Sequence, residues 1–439
     1  MNWPGNSDAS RGPSTALEAA PLATAPARVL LVTSNFPRWP GDSTTPFILH
    51  LARDLRALGW DIHVLAPHAP GARRAEVLEG VPVERFHYLW PERLQTLCYQ
   101  GGTLINLRRH RGNFAKLPMF VLSEWASLAR RLMRGKYDLV HSHWILPQGL
   151  IAALAAKPLG LPHIATVHGG DIFALAGPVM TACKRVALRL ADAVTVNSTA
   201  TAEAVARISP GFDRIVRIPM GASSDSPADL QTIAELRARY RRAAGPLLVF
   251  VGRLVEEKGV GDLLVAVAIL RRTLADVTAL IVGDGQDRQR LQHLADELGV
   301  ADRVSFVGWI PSGMVRTYLS AADVFVGPSK RAPDGWVEAQ GLVFIEAMLT
   351  GTPVIATASG GIVDVVHHEQ TGLLVREASP DDIASAVLRL VADPALAARL
   401  RQDAAALARR EFTREASGRA FSELFKRVLS DRAARAPSR

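Results

Sequence analysis

Two glutamates eight residues apart, Glu338 and Glu346, sit in the stretch Asp334 to Gly361, which reads DGWVEAQGLVFIEAMLTGTPVIATASGG. Between them Gly341 lets backbone come close to a ligand at the start of an apolar-periodic helix, where unpaired N–H groups favour an anion. Carboxylates so near that point must face hydroxyls, because a diphosphate would repel them. A second pair of groups, Arg253 and Lys258, follows the strand-like run Leu247 to Val251, with Gly252 at the bend. Two long cations fixed there could hold the charge that builds on a departing phosphate when a sugar–diphosphate bond breaks. Two more apolar runs end in histidine, at His143 and His168, and the second leads into Gly169-Gly170-Asp171. Strand-end loops of this kind line the clefts of open α/β sheets. Neither histidine brings a third and fourth ligand at a recognisable spacing, so no metal is expected.

The elements that would position these groups are legible from periodicity. Arg28 to Thr33 reads as a buried strand, followed by the turn-rich loop Ser34 to Asp42, a helix from Pro46 to Leu58 and a strand from Ile62 to Ala66. Strands follow at 137–143, 162–168, 193–197 and 214–219. After a polar, partly helical connector over 224–245, the strand–helix alternation restarts at Leu247 and continues to Thr357. The restart marks a domain boundary, giving an α/β chain of two parallel-sheet domains with a cleft between them. We place the first domain at 28–223, the connector at 224–245, the second domain at 246–410, a returning helix at 411–430, a disordered leader at 1–27 and a flexible tail at 431–439. The leader has neither a basic start nor an apolar core, so it does not read as a signal peptide.

The glutamate stretch, with its continuation Gly351-Thr-Pro-Val-Ile-Ala-Thr and Ser-Gly-Gly, resembles the Glu-x7-Glu segment of retaining glycosyltransferases of family 4, in the GT-B superfamily. The resemblance covers nearly the whole chain after residue 27. It implies a GT-B fold of two Rossmann-like domains, and a hexosyltransferase that takes its sugar from a nucleotide diphosphate, UDP- or GDP-linked, with retention. On this likeness His168 and Glu338 meet the donor sugar, and Arg253 and Lys258 hold the leaving phosphate. Backbone N–H groups around Gly341, Leu342 and Val343 hold the diphosphate, and Glu346 the ribose hydroxyls. Gly283 and Gly285 of Val282-Gly-Asp-Gly back the nucleotide, and Trp309 and Ile310 lie where relatives hold the base. Gly41, Thr45, His143 and Asp171 are candidates for the acceptor side of the cleft. The chain departs from the family pattern at Thr44-Thr45, where relatives commonly have a glycine, and at Ala222-Ser223, where they carry Val-Asp. The wording of its loops is closest to members that build exopolysaccharides or glycolipids, which implies a lipid-linked or saccharide acceptor.

Composition narrows the setting. Two cysteines in 439 residues exclude a disulfide framework and point to a reducing cytoplasm. The net charge of +9 is concentrated between Arg85 and Lys136, where ten Lys or Arg face Glu92 and Glu124. Aromatics interleave with the cations there. Such a mixture suits an anionic membrane surface or single-stranded nucleic acid, or else a helical insert with solvated arginines. We expect residues 85–136 to dock on the inner face of the cell membrane, with no nucleic-acid partner. A sugar-nucleotide epimerase on the same fold and a non-catalytic nucleotide- or nucleic-acid-binding protein are the competing readings.

Overall fold

A computed structural model describes residues 26–99, 102–223, 229–333 and 335–435. The expected leader, except for its last two residues, and the end of the expected tail lie outside them. The first sheet contains β1 (Arg28–Val32), β2 (Asp61–Pro67), β3 (Ala75–Leu78), β4 (Val81–Phe86), β5 (Leu139–His143), β6 (His163–Val167), β7 (Ala193–Val196) and β8 (Ile215–Arg217), in the order β3-β4-β2-β1-β5-β6-β7-β8. The second contains β9 (Leu247–Val251), β10 (Thr278–Val282), β11 (Val304–Gly308), β12 (Val324–Gly327), β13 (Val354–Thr357) and β14 (Leu373–Val375), in the order β11-β10-β9-β12-β13-β14. Except for the antiparallel β3–β4 pair, the paired strands are parallel. Helices cover both faces, which is why central strands such as β1 and β9 are apolar almost throughout.

The β3–β4 hairpin escaped the sequence reading. Its turn is Glu79-Gly80, both with positive φ (46° and 83°), the geometry of a two-residue turn matched to strand twist. A glutamate in that position carries no turn signal of its own. The final helix, Arg414–Arg435, runs into the stretch expected to be a flexible tail. It lies on the first sheet's helix Pro46–Ala57: Phe421, Leu424 and Phe425 enter the core around β1 and β2, and Trp60 donates through Nε1 to Ser422 Oγ at 2.9 Å. Arg414 forks onto the Asp54 carboxylate.

The basic segment divides in a way its composition concealed. Arg85 is fully buried and donates to the Glu76 carboxylate at 2.6 Å and to the Arg73 and Pro37 carbonyls at 2.7 and 2.8 Å. It is therefore a structural cation, and counting it as membrane-facing is wrong. Arg131 is ion-paired with Glu84. Phe86, Tyr88, Tyr99 and Phe120 belong to a core cluster, whereas Trp90, Phe114 and Trp125 are exposed, as are Arg93, Arg109, Arg111, Arg130, Arg134 and Lys136.

On the long helix Leu117–Arg134 of this segment, Glu124 is completely buried. Burial pushes its carboxyl up to about 8, and Gln148 Nε2 donates to it at 3.1 Å. A carboxyl whose folded-state pKa is raised stabilises the fold below its unfolded value. It withdraws that stability as pH rises toward the folded value, because the unfolded chain ionises first. Glu124→Gln should therefore gain melting temperature relative to wild type steadily from pH 5 to pH 8. A pH-independent difference in thermal denaturation would refute the buried protonated acid.

Candidate active site

The carboxyl ends of strands from both sheets open into one cleft, a cavity of about 1050 Å³. Asn35 after β1, Trp144 after β5 and Gly170 after β6 face Arg253 after β9, Asp284 and Gly285 after β10, and Trp336. Ligand sites in open α/β sheets form at such strand ends, where loops diverge and backbone groups lose their ladder partners.

On the second-domain wall, Lys258 Nζ is ion-paired with the Glu338 carboxylate and lies 5.5 Å from the centre of the Trp336 ring. Both partners of the pair are mostly shielded from water. Arg253 is exposed within the cavity, and among the described residues no carboxylate pairs with it. The two cations thus differ: one is already balanced, the other open to an incoming anion. Beside them Gly283 holds φ at 125°, and a Cβ there would stand 1.9 Å from the Gly252 carbonyl oxygen. Gly283 is required first by the close packing of two strand-end loops, and Gly285, similarly tight against Leu254, shares that reason. Trp309 is 61% exposed after β11, and Ile310 packs on the second-domain core; neither lines the cavity.

Gly341 is the N-cap of the helix Leu342–Thr350, so the first N–H groups of that helix belong to Leu342 and Val343. Glu346, one turn in, is half-buried. Burial raises its carboxyl to about 7, with Arg316 pulling in the opposite direction. Arg316 was not anticipated. It comes from the helix Val315–Ala321, donates to the Ser223 carbonyl at 3.2 Å, and keeps a buried Nε without a partner.

Behind Trp144 of the first-domain wall, His143 Nδ1 and His168 Nε2 lie 2.9 Å apart with the rings stacked. His143 is fully buried and does not face the acceptor side as the sequence suggested, and neither histidine lines the cavity itself. Desolvation holds both imidazoles neutral: His168 at about 3 and His143 well below its ordinary value. The pair therefore shares one N–H and presents hydrogen bonds without charge. Phe47 and Trp144 close over His168 with ring centres 5.3 and 5.0 Å away. Asp171, expected from sequence to face the acceptor, does not offer its carboxylate to the cleft. Its oxygens accept the backbone N–H groups of Ile145 (2.6 Å), His168 (3.1 Å) and Gly169 (3.0 Å), so it fixes the loop that aims His168. Thr45 is similarly turned inward, donating to the Asn35 carbonyl at 3.0 Å, and Gly41 is an exposed loop residue outside the cavity wall.

The two walls touch through the glutamate loop. Gly169 adopts φ 105°, and a Cβ on it would stand 2.3 Å from Ala339 Cβ, so the residue after His168 meets the residue after Glu338. Gln340 Oε1 accepts from Met220 N–H at 2.9 Å, and its Nε2 donates to the Met220 carbonyl at 2.8 Å. Gln340 lies in a stretch already singled out, but nothing in its spacing separates it from its neighbours.

This combination of two facing α/β domains with polar groups converging at their strand ends defines a GT-B glycosyltransferase architecture. The chain belongs to the family 4-like glycosyltransferases: residues 44–221 match the glycosyl transferase 4-like domain and residues 233–407 match glycosyl transferases group 1. It is 33% identical over 375 residues to a GDP-mannose-dependent alpha-(1-6)-phosphatidylinositol monomannoside mannosyltransferase of Mycobacterium tuberculosis, covering 83% of this chain and 89% of that one. It is 31% identical to a 2-deoxystreptamine glucosyltransferase of Streptomyces kanamyceticus, over 70% of this chain and 81% of that one. Among solved structures, sucrose-phosphate synthase from Thermosynechococcus elongatus superposes with a TM-score of 0.73 at 25% identity, over 92% of this chain and all of that one.

The raised carboxyl of Glu346 gives its expected ribose contact a pH signature. Hydroxyls donate to the carboxylate form, so binding lowers its pKa, and at pH below about 7 a proton must first leave. Affinity for a nucleotide sugar, which has no terminal phosphate to titrate, should rise about tenfold from pH 6 to pH 8. In Glu346→Gln it should be flat. Calorimetry showing the same slope in both proteins would remove Glu346 from the donor site.

Proposed function

We propose that the protein transfers a hexosyl residue from a UDP- or GDP-sugar, with retention, to a lipid-linked or saccharide hydroxyl in the synthesis of a cell-surface polysaccharide or glycolipid. The observation that carries this reading is the division of the cleft. On one side Arg253 lines the cavity as an open cation, with the balanced Lys258–Glu338 pair beside the lining residue Trp336 and a helix N-terminus at Gly341; on the other a neutral histidine pair lies behind the lining residue Trp144. Charge is arranged where a diphosphate departs, and uncharged hydrogen-bonding groups where a sugar must be held.

In the reaction the acceptor oxygen bonds to the anomeric carbon as the bond from that carbon to the diphosphate oxygen breaks. The acceptor proton passes to the departing phosphate on the same face of the sugar. Arg253 and Lys258 hold the charge growing on that phosphate, with the N–H groups of Leu342 and Val343. Glu338 and His168 orient the sugar. Glu338 is itself held by Lys258, so an incoming phosphate meets a cation whose side chain is already immobilised. No metal is assigned to these steps, and activity is expected to persist in EDTA.

Incubation with GDP-mannose, UDP-glucose and a lipid extract, read by mass spectrometry and by the anomeric coupling of the product, tests donor, acceptor and stereochemistry together. Lys258→Ala should lower kcat by on the order of 10²–10³ with a smaller change in KM. A variant altered in KM alone would contradict the role given to this cation. Conversion of the nucleotide sugar to its epimer, with no acceptor present and the nucleotide still attached, would favour the epimerase reading.

We also assign the exposed part of the basic–aromatic segment to docking on the anionic inner face of the cell membrane. Arg109, Arg111 and Arg130 are exposed there with Trp90 and Trp125. Each cation near such a surface contributes about 1 kcal/mol, and rings anchor at headgroup depth. Anionic vesicles should sediment the wild type in a salt-sensitive way, and clearly less of a protein with Arg109 and Arg111 changed to Gln. Equal sedimentation of the two would leave this segment a solvated helical insert.

A further inference from the structure

The cleft does not end at Trp144. It continues into the first domain between the helices Leu117–Arg134, Leu150–Ala156 and Pro178–Leu190, where Val121, Leu146, Leu150, Ile151, Leu175 and Met180 form its walls. Among the described residues, Arg109 and the Oε1 of Gln148 are the polar groups near this end left without a protein partner, and others are turned to the protein. Gln148 spends its Nε2 on Glu124, which burial keeps protonated at neutral pH, and both oxygens of Asp171 accept backbone N–H groups. One continuous space therefore runs from Arg253, Asp284 and Gln286 at the donor wall to an aliphatic compartment at the other end. At about 1050 Å³ it is at the upper end of what a single small ligand occupies, so it has room for parts of two substrates.

We propose that this compartment binds one hydrocarbon chain attached to the acceptor's hydroxyl-bearing head, so that the acceptor substrate is an amphiphile held by its tail inside the first domain. The proposal rests on the transferase reading above and narrows it from any saccharide to a single-chain-presenting lipid. A saccharide would leave the aliphatic walls wet and find only Arg109 and the Oε1 of Gln148 as free partners near this end among the described residues, whereas sugar recognition needs several polar groups facing the ligand. A hydrocarbon chain gains roughly 0.8 kcal/mol for each methylene it buries. The compartment also has an apolar way out. Val121 lines the cavity and is itself 38% exposed, next to Met119, Leu122 and Trp125 on the same helix, which are exposed as well. A chain could pass from a bilayer along that stripe into the cleft and bring its head toward Arg253 and His168.

The chain carries its own reporter. Cys183 lines the compartment and is half-exposed, whereas Cys98 is fully buried and burial raises its thiol far above the ordinary range, so Cys98 stays unreactive. In the full-length protein, decyl β-glucoside below its micelle concentration should slow alkylation of Cys183 by N-ethylmaleimide at least tenfold, read by peptide mass spectrometry. Methyl β-glucoside and GDP should leave the rate unchanged. Leu150→Trp, which fills the compartment, should raise the decyl glucoside concentration needed for half-protection at least fivefold with nucleotide affinity unchanged. Val121→Arg, at a position already 38% exposed, should do the same by closing the exit. Equal alkylation rates in decyl and methyl glucoside would overturn the proposal, as would protection that neither substitution weakens. Protection without sugar transfer would keep the compartment and discard the transferase reading. Transfer to methyl glucoside without protection by the decyl compound would do the reverse.

Discussion

A side-chain amide that behaves like a peptide group joins the two halves of this enzyme. Gln340 and Met220 exchange two hydrogen bonds, one from each polar atom of the glutamine amide, between residues 120 apart in sequence and both buried. Buried backbone groups at the end of a sheet have no strand to pair with, and leaving both unsatisfied would cost about 1–3 kcal/mol each. The glutamine satisfies them from the opposite domain. Its two neighbours toward the N-terminus are Ala339, packed against Gly169, and Glu338, paired with Lys258. Three successive residues of one loop thus carry the interdomain hydrogen bonds, the close contact behind His168, and the carboxylate of the donor wall. None of these can shift without the others.

That rigidity explains how the site handles its charge. The histidine pair is neutral because aromatic rings and β-strand ends exclude water from it, and the loop that aims it is fixed by the Asp171 carboxylate from below. On the facing wall the Lys258–Glu338 pair is preassembled, so little reorganisation remains when an anion arrives. The groups left responsive are Arg253, which has no carboxylate partner among the described residues, and Glu346, whose carboxyl is poised near neutrality. A nucleotide-linked sugar offers a partner to each: phosphate oxygens to the first and hydroxyls to the second.

How far the sequence was legible follows from which interactions are local. The helix at Leu342 and the strand Val354–Thr357 were readable because their signals lie within a few residues: a glycine before, a glycine and proline after, an apolar run between. The cations and histidines were readable because strand ends are. The β3–β4 hairpin was not, since Glu79 holds a left-handed turn on the strength of the pairing around it. Arg85 was misread for a related reason. Its charge is cancelled by Glu76 and by carbonyls from the loops near Pro37 and Arg73, and no local pattern shows that these converge. Asp171 looked like a ligand-facing acid, and only the fold reveals that its oxygens are occupied by the backbone. The donor wall is thus written mainly in motifs, while the acceptor wall is written in packing.

The same long-range bonding locates where the domains can turn. Two passes of chain between the sheets lie side by side and are hydrogen-bonded to each other: Ala222 N–H donates to the Phe412 carbonyl at 2.9 Å, and Arg414 N–H to the Ala222 carbonyl at 3.1 Å. Gly221 packs so tightly there that a Cβ would stand 2.3 Å from the Thr413 carbonyl oxygen. Met220, the anchor of the glutamine amide, is the next residue along. Other interdomain contacts, among them Thr199 and Arg217 with Asp364, Ser198 with Gly361 and Gly169 with Ala339, lie on other loops. A change in the angle between the sheets is therefore absorbed at 220–222 and 412–414, where the bonds are backbone bonds and the lever arm is short.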